Sequence, residues 1–173
     1  MFSGKTLVLI DFQKIFANKN YPWYVPNIEK AFENAKKIEK EFLEQQSEVI
    51  YTQFIPEENP KGEWINYYKK YPFALEEKNR ELYELIENAE NEQIKCVSSH
   101  KFSKWDVIKP YIQDTMYICG VASGCCVLLT ILAAIDDGIK VYFIQDASAG
   151  SSLEAQKRTL EILKRFEPMV EII

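Results

Sequence analysis

Residues 115–149 read TMYICGVASGCCVLLTILAAIDDGIKVYFIQDASA. The first seven are apolar without alternation, the mark of a strand buried on both faces. Ala122, Ser123 and Gly124 then make a turn. From Gly124 to Asp137 the apolar pattern runs too long for a strand. It reads as a strongly apolar helix, ended by Gly138 in a C-cap position. KVYFIQDA is the next strand. Strand, helix and strand in that order argue for a parallel sheet covered on its faces.

The flanks repeat this alternation. TLVLIDF is a short apolar run ending in an acid. Pro26 to about Gln46 carries Ile28, Ala31, Phe32, Ala35, Ile38 and Phe42 near helical spacing among Lys and Glu, an amphipathic helix. EVIYTQF is a second strand. Ile55 to Phe73 holds Pro56, Pro60, Gly62 and Pro72, so it reads as a long surface loop with room for one helical turn. Leu75 to Asn88 reads as helix and QIKCVS as a third strand. Ser103 to Gln113 holds a short helix, Ser152 to Phe166 a last amphipathic one, and MVEII a closing strand. The expected fold is α/β: three layers, a mostly parallel sheet of five or six strands, helices on both faces, Rossmann-like in architecture. One domain over residues 1–173 suits this length.

Composition narrows the function classes. The chain has 21 basic and 26 acidic residues, net charge −5, and the basic ones are scattered, which argues against a nucleic-acid partner. The longest apolar stretch, VLLTILAAI, is about half of the roughly twenty residues a membrane span needs. A cytoplasmic protein acting on a small molecule is expected. Cys96, Cys119, Cys125 and Cys126 lack paired CxxC spacing, and His100 is the only histidine. Neither a disulfide framework nor a zinc site is expected, and no metal or cofactor.

In parallel sheets, ligands bind beyond the carboxyl ends of the strands. Asp11, the SSHK segment, the ASGCC turn and Asp146 therefore come under suspicion. Cys126 falls in the first turn of the apolar helix, where free N–H groups and the helix dipole favour thiolate and can hold an oxyanion. A pair of small core residues at a crowded junction is the competing reading, and Cys125 competes on chemistry alone. Asp11 is a general base, its pKa raised by burial, or a cap for the next turn. Lys101 is a cation that steadies the site or a solvated surface lysine. Asp146 reads as structural. The loop aromatics Phe16, Trp64, Phe102 and Trp105, with Tyr21, Trp23, Tyr67 and Tyr68, line a pocket, fill gaps under loops, or form an oligomer contact.

LVLIDFQKIF and GVASGCCVLLTILAAIDDGIKVYFIQDASAG, in this order, resemble the isochorismatase-like cysteine hydrolases, which include nicotinamidases and N-carbamoyl amidohydrolases. The resemblance covers nearly the whole chain. It implies that Asp11 is the catalytic acid and Cys126, followed by Val127, the nucleophile. It also implies a cis peptide between Val121 and Ala122 that shapes an oxyanion site with Cys126. The family's lysine stands shortly before an aromatic–Ser pair. Here that pair is Phe102 and Ser103, and the role goes to Lys101, with Lys104 and Lys95 nearby. The metal-binding acid and histidines of nicotinamidases are missing. The expected function is hydrolysis of a small amide or related C–N bond through a thioester, without metal, by a homo-oligomer. The alternatives are a catalytically inactive small-molecule binder on the same fold, and a thiol redox sensor using Cys125 and Cys126.

Overall fold

The computed structural model describes residues 4–89 and 91–173. Six strands form one sheet: β1 (Thr6–Ile10), β2 (Glu48–Phe54), β3 (Ile94–Ser99), β4 (Thr115–Val121), β5 (Lys140–Ala149) and β6 (Val170–Ile172). Every pairing is parallel, in the order β3-β2-β1-β4-β5-β6. The chain builds outward from β1 to β3, then returns to lay β4 on the other side of β1. That reversal opens a crevice at the carboxyl ends of β1 and β4, where the side chains that follow each strand meet.

Successive side chains on a strand point to opposite faces, so each apolar strand feeds two cores. Leu7, Leu9, Val49, Tyr51, Cys119 and Val121 join one core, packed by α2 (Ile28–Glu44) through Phe32, Ala35 and Phe42. Val8, Ile10, Ile50, Ile118 and Phe143 join the other, with Ile131 and Ala134 of α5 (Leu128–Asp136) and Leu163 of α6 (Leu153–Leu163). Two short helices, α1 (Lys14–Ala17) and α4 (Trp105–Ile108), follow β1 and β3, and α3 (Trp64–Lys70) lies between β2 and β3. The three-layer α/β expectation therefore holds, with six strands. Among the described residues no helix is long and apolar enough to cross a membrane.

Three local readings change. The stretch after β2, read as loop, contains α3. Leu75 to Asn88 is not an α-helix: Pro72–Leu75 and Glu77–Tyr83 are 3₁₀ turns. Side chains compete there with the helical ladder. The Tyr83 carbonyl accepts from the amides of Gln13 (2.6 Å) and Gln53 (3.1 Å), and the buried Asn79 amide donates to the Phe73 carbonyl (2.8 Å). Asp146 does not follow β5 but lies within it, exposed, at a break in register where Ile118 pairs with Phe143 and Gly120 with Ser148.

The core carries an alkaline liability. Burial pushes the Cys119 thiol up. The Tyr51 phenol is raised by burial first and then by its hydrogen bond to Glu39, and burial raises Tyr68 to about 12. The folded chain keeps these protons while an unfolded chain sheds them at about 8.5 for thiols and about 10 for phenols. Their contribution to stability is complete below those values and is lost as pH rises past them. The urea midpoint should be flat from about pH 7 to 8 and fall steadily from about pH 9 to 11. A midpoint unchanged across the alkaline range would show that these groups ionise freely in the fold.

Candidate active site

Asp11 immediately follows β1 with its backbone in the left-handed region, at φ +53°. Asp tolerates this conformation better than most residues, and such outliers gather at functional sites. The turn lets its main-chain N–H reach the Thr52 hydroxyl, 3.2 Å away. It also buries the carboxylate completely. One oxygen, Oδ1, accepts from the Thr52 hydroxyl at 2.7 Å. The other, Oδ2, is 2.8 Å from the Nζ of Lys104.

Lys104 is also wholly buried. Its ammonium lies 2.8 Å from the Lys101 carbonyl and 3.0 Å from the Phe102 carbonyl, besides the Asp11 contact. An ammonium has three N–H donors, and three oxygens already surround it. The Phe54 ring lies beneath, its centroid 5.4 Å away. Burial pulls the Lys104 pKa down, but the Asp11 carboxylate and the two neighbouring cysteine sulfurs outweigh it, so the pKa is raised. The lysine stays charged.

The lysine expectation is thereby corrected. The Lys101 side chain points to solvent and pairs with Asp106 at 2.7 Å, so it offers nothing to Asp11. Its main-chain carbonyl holds Lys104 instead. Lys104 stands after the Phe102–Ser103 pair rather than before it, and its position opening α4 turns it inward while Trp105 and Ile108 bury the same helix.

Beyond β4, Val121 and Ala122 are joined by a cis peptide. Ser123–Val127 forms one wide π-type turn that runs into α5. Such turns recur at functional sites. The Ala122 carbonyl accepts from the N–H groups of Cys125 (2.9 Å) and Val127 (3.4 Å), which leaves Cys126 between them at the start of the helix. Cys126 is 5% exposed, and Cys125 is half-buried beside it.

The two neighbouring thiols shift each other in opposite directions. Cys125 is lowered, first by the hydrogen bond from Cys126, with Lys104 helping against burial. Cys126 is pushed well up, first by that same bond, then by burial and the negative Asp11. The sequence reading placed a stabilised thiolate at Cys126. The upward push on Cys126 runs against a standing thiolate there and suits loss of its proton at the moment of attack.

Both sulfurs open on a cavity of about 170 Å³, walled by Phe16, Trp23, Phe54, Tyr67 and Phe102, with Ala122 on its floor. No charged side chain lines it. Phe16 and Phe102, two of the aromatics singled out in the sequence, line this cavity. Trp64 is displaced: it packs on Phe102 at 4.8 Å and lines an adjoining hollow. Trp105 is not in the pocket at all. It is buried in the second core, its indole N–H bonded to Asp137. Trp23 and Tyr67, grouped with the loop aromatics, are wall residues, and Thr52 went unnoticed because a threonine in a strand gives no signal. A larger cleft of about 460 Å³ between Ile55, Leu75 and Arg80 lies away from the thiols and has none of this chemistry.

Among the described residues no group of three His, Cys, Asp or Glu could hold a metal ion. His100 is at the surface, 3.9 Å from Glu57. The donor set around the thiols does not fit the metal centre of the nicotinamidase branch.

The isochorismatase domain family matches residues 5–172. No curated protein matches the sequence. Among solved structures, a cysteine hydrolase from Pseudomonas syringae pv. phaseolicola is similar at TM-score 0.82 and 21% identity, covering 97% of this chain and 87% of its own. A pyrazinamidase of Pyrococcus horikoshii in complex with zinc is similar at TM-score 0.73 and 21% identity, covering 98% of both chains. A nicotinamidase from Staphylococcus aureus is similar at TM-score 0.68 and 12% identity, covering 98% and 97%.

Proposed function

The chain belongs to the isochorismatase domain family of hydrolases, and from that premise we propose that it cleaves a small, uncharged amide through a thioester on Cys126. The observation that carries this reading is the wholly buried ion pair of Asp11 and Lys104, both charges of which act on the Cys126 sulfur. Burying such a pair is costly unless the charges are used or well held.

Asp11 takes the Sγ proton as the Cys126 sulfur attacks the carbonyl carbon. The carbonyl oxygen becomes an oxyanion beside the main-chain N–H of Cys126, next to Ala122. As it collapses, the C–N bond breaks and the proton on Asp11 passes to the departing nitrogen. Water then attacks the thioester, giving its proton to Asp11. The carbon–sulfur bond breaks, the acid leaves, and the sulfur takes back a proton. Lys104 holds the carboxylate in place and offsets the negative charge that accumulates.

The cavity supports a neutral substrate. Its walls are aromatic and apolar, and the buried Lys104 ammonium is already paired with Asp11 and bonded to two carbonyls. The sequence leaves the family's lysine unsettled among Lys101, Lys104 and Lys95, and a buried lysine, Lys104, stands at Asp11.

An ammonia-release screen over neutral primary amides tests this. Cys126→Ala should lower turnover by a factor on the order of 10³ or more, and intact protein with a slow substrate should carry the acyl mass on the Cys126 peptide. Unchanged release in Cys126→Ala, or an acyl group on Cys125, would overturn the assignment.

A further inference from the structure

The Thr130 hydroxyl joins two parts of this site that no chain segment connects. Thr130 sits on α5, fully buried, one turn after Cys126. Its Oγ1 donates to the Cys126 carbonyl at 2.7 Å, the usual local bond of a threonine within a helix. Its second contact is not local. The same oxygen accepts the main-chain N–H of Lys104 at 2.9 Å, from a residue 26 positions earlier. That N–H opens α4, where a helix has no partner of its own to offer.

We propose that Thr130 is a positioning residue whose hydroxyl fixes the Lys104 ammonium relative to the Cys126 sulfur, an inference that rests on the role given to both residues above. Lys104 is then held at both ends. Asp11 and the two carbonyls fix its ammonium, and Thr130 fixes its backbone to the helix that carries the sulfur. Without the hydroxyl, a buried N–H loses its partner, and the segment must move to find another. Lys104 would move with it, away from the sulfur whose developing negative charge it offsets. The threonine methyl cannot supply this, so serine should serve and valine should not.

The probe is p-nitrophenyl acetate, with acetylation of the Cys126 peptide followed by mass across a pH series. In Thr130→Val the rate at pH 7 should fall about tenfold, and the pH midpoint should move upward. Thr130→Ser should restore both. A second readout is hydrogen exchange of the Lys104 amide, which should be slow in the native protein and in Thr130→Ser and fast in Thr130→Val. Should Thr130→Val not fold, Thr130→Ala carries the same two measurements. Rates and profiles that match the native protein in a folded Thr130→Val would overturn the proposal, as would an unchanged Lys104 amide. If the native Cys126 is never acetylated, the thioester reading fails, while the exchange measurement still decides for or against the Thr130 link.

Discussion

Lys104→Met should destabilise the protein by about 3–5 kcal/mol and lower amide turnover by at least about a hundredfold. Methionine fills most of the lysine's volume, so packing is kept while the charge is removed. What remains is the Asp11 carboxylate, 0% exposed, with one hydrogen bond from Thr52 and no counter-charge. Removing one partner of a buried pair leaves the other with its full desolvation cost. The freed Lys101 and Phe102 carbonyls add to this. Urea denaturation and the ammonia assay measure the two effects. Lys101→Ala, which gives up only a solvent-facing pair with Asp106, should cost less than about 1 kcal/mol. Equal effects at the two lysines would mean that Lys104 is not the buried cation of the site.

Gly120→Ala should abolish the native fold, at a cost above about 4 kcal/mol. Gly120 pairs with Ile10 across β1 and β4 at φ +130°, a backbone region closed to residues with a side chain. A Cβ built there would lie 2.2 Å from the Ile10 carbonyl oxygen and 2.8 Å from its Cα. Both are main-chain atoms of a central strand and cannot move aside. Ile10 immediately precedes Asp11, so any shift that relieved the clash would drag the carboxylate from Lys104. Gly138→Ala is the control. Its φ is also positive, at +87°, but nothing lies within 4 Å. That change should cost only about 1–2 kcal/mol, the strain of the conformation alone. Circular dichroism and urea midpoints of the two variants make the comparison; a well-folded Gly120→Ala would mean that β1 and β4 do not approach this closely.

The central strands were legible because their signal is physical and local. EVIYTQF and TMYICGV coincide with β2 and β4, since an apolar run buried on both faces has no other economical home. Cys126 was legible for the same reason: strand, small residues and apolar helix place it at a junction whatever the side chains do. Lys104 was not. A lysine looks the same in sequence whether it is solvated or buried, and what sends this one inward is a set of distant oxygens on Asp11, Lys101 and Phe102. Trp105 failed in the opposite way. A loop aromatic beside a suspected site reads as pocket, yet its neighbours Val107 and Ile108 belong to a core that only the sheet's second face creates. The segment from Leu75 to Asn88 has helical composition. Its Tyr83 carbonyl is claimed by both Gln13 and Gln53 from other parts of the fold, a competition that local propensity cannot register.

The uncharged lining around the sulfurs has a bearing on what happens after the bond is cut. An amide enters as a neutral guest, whereas the acid formed from it ionises at once near neutral pH. Such an anion finds no charged side chain on the wall, and the cation nearest the site, Lys104, is already paired with Asp11. Apolar walls that suit the first species leave the second poorly solvated. On the proposed reading, the apolar wall that admits a neutral amide favours release of the acid formed from it.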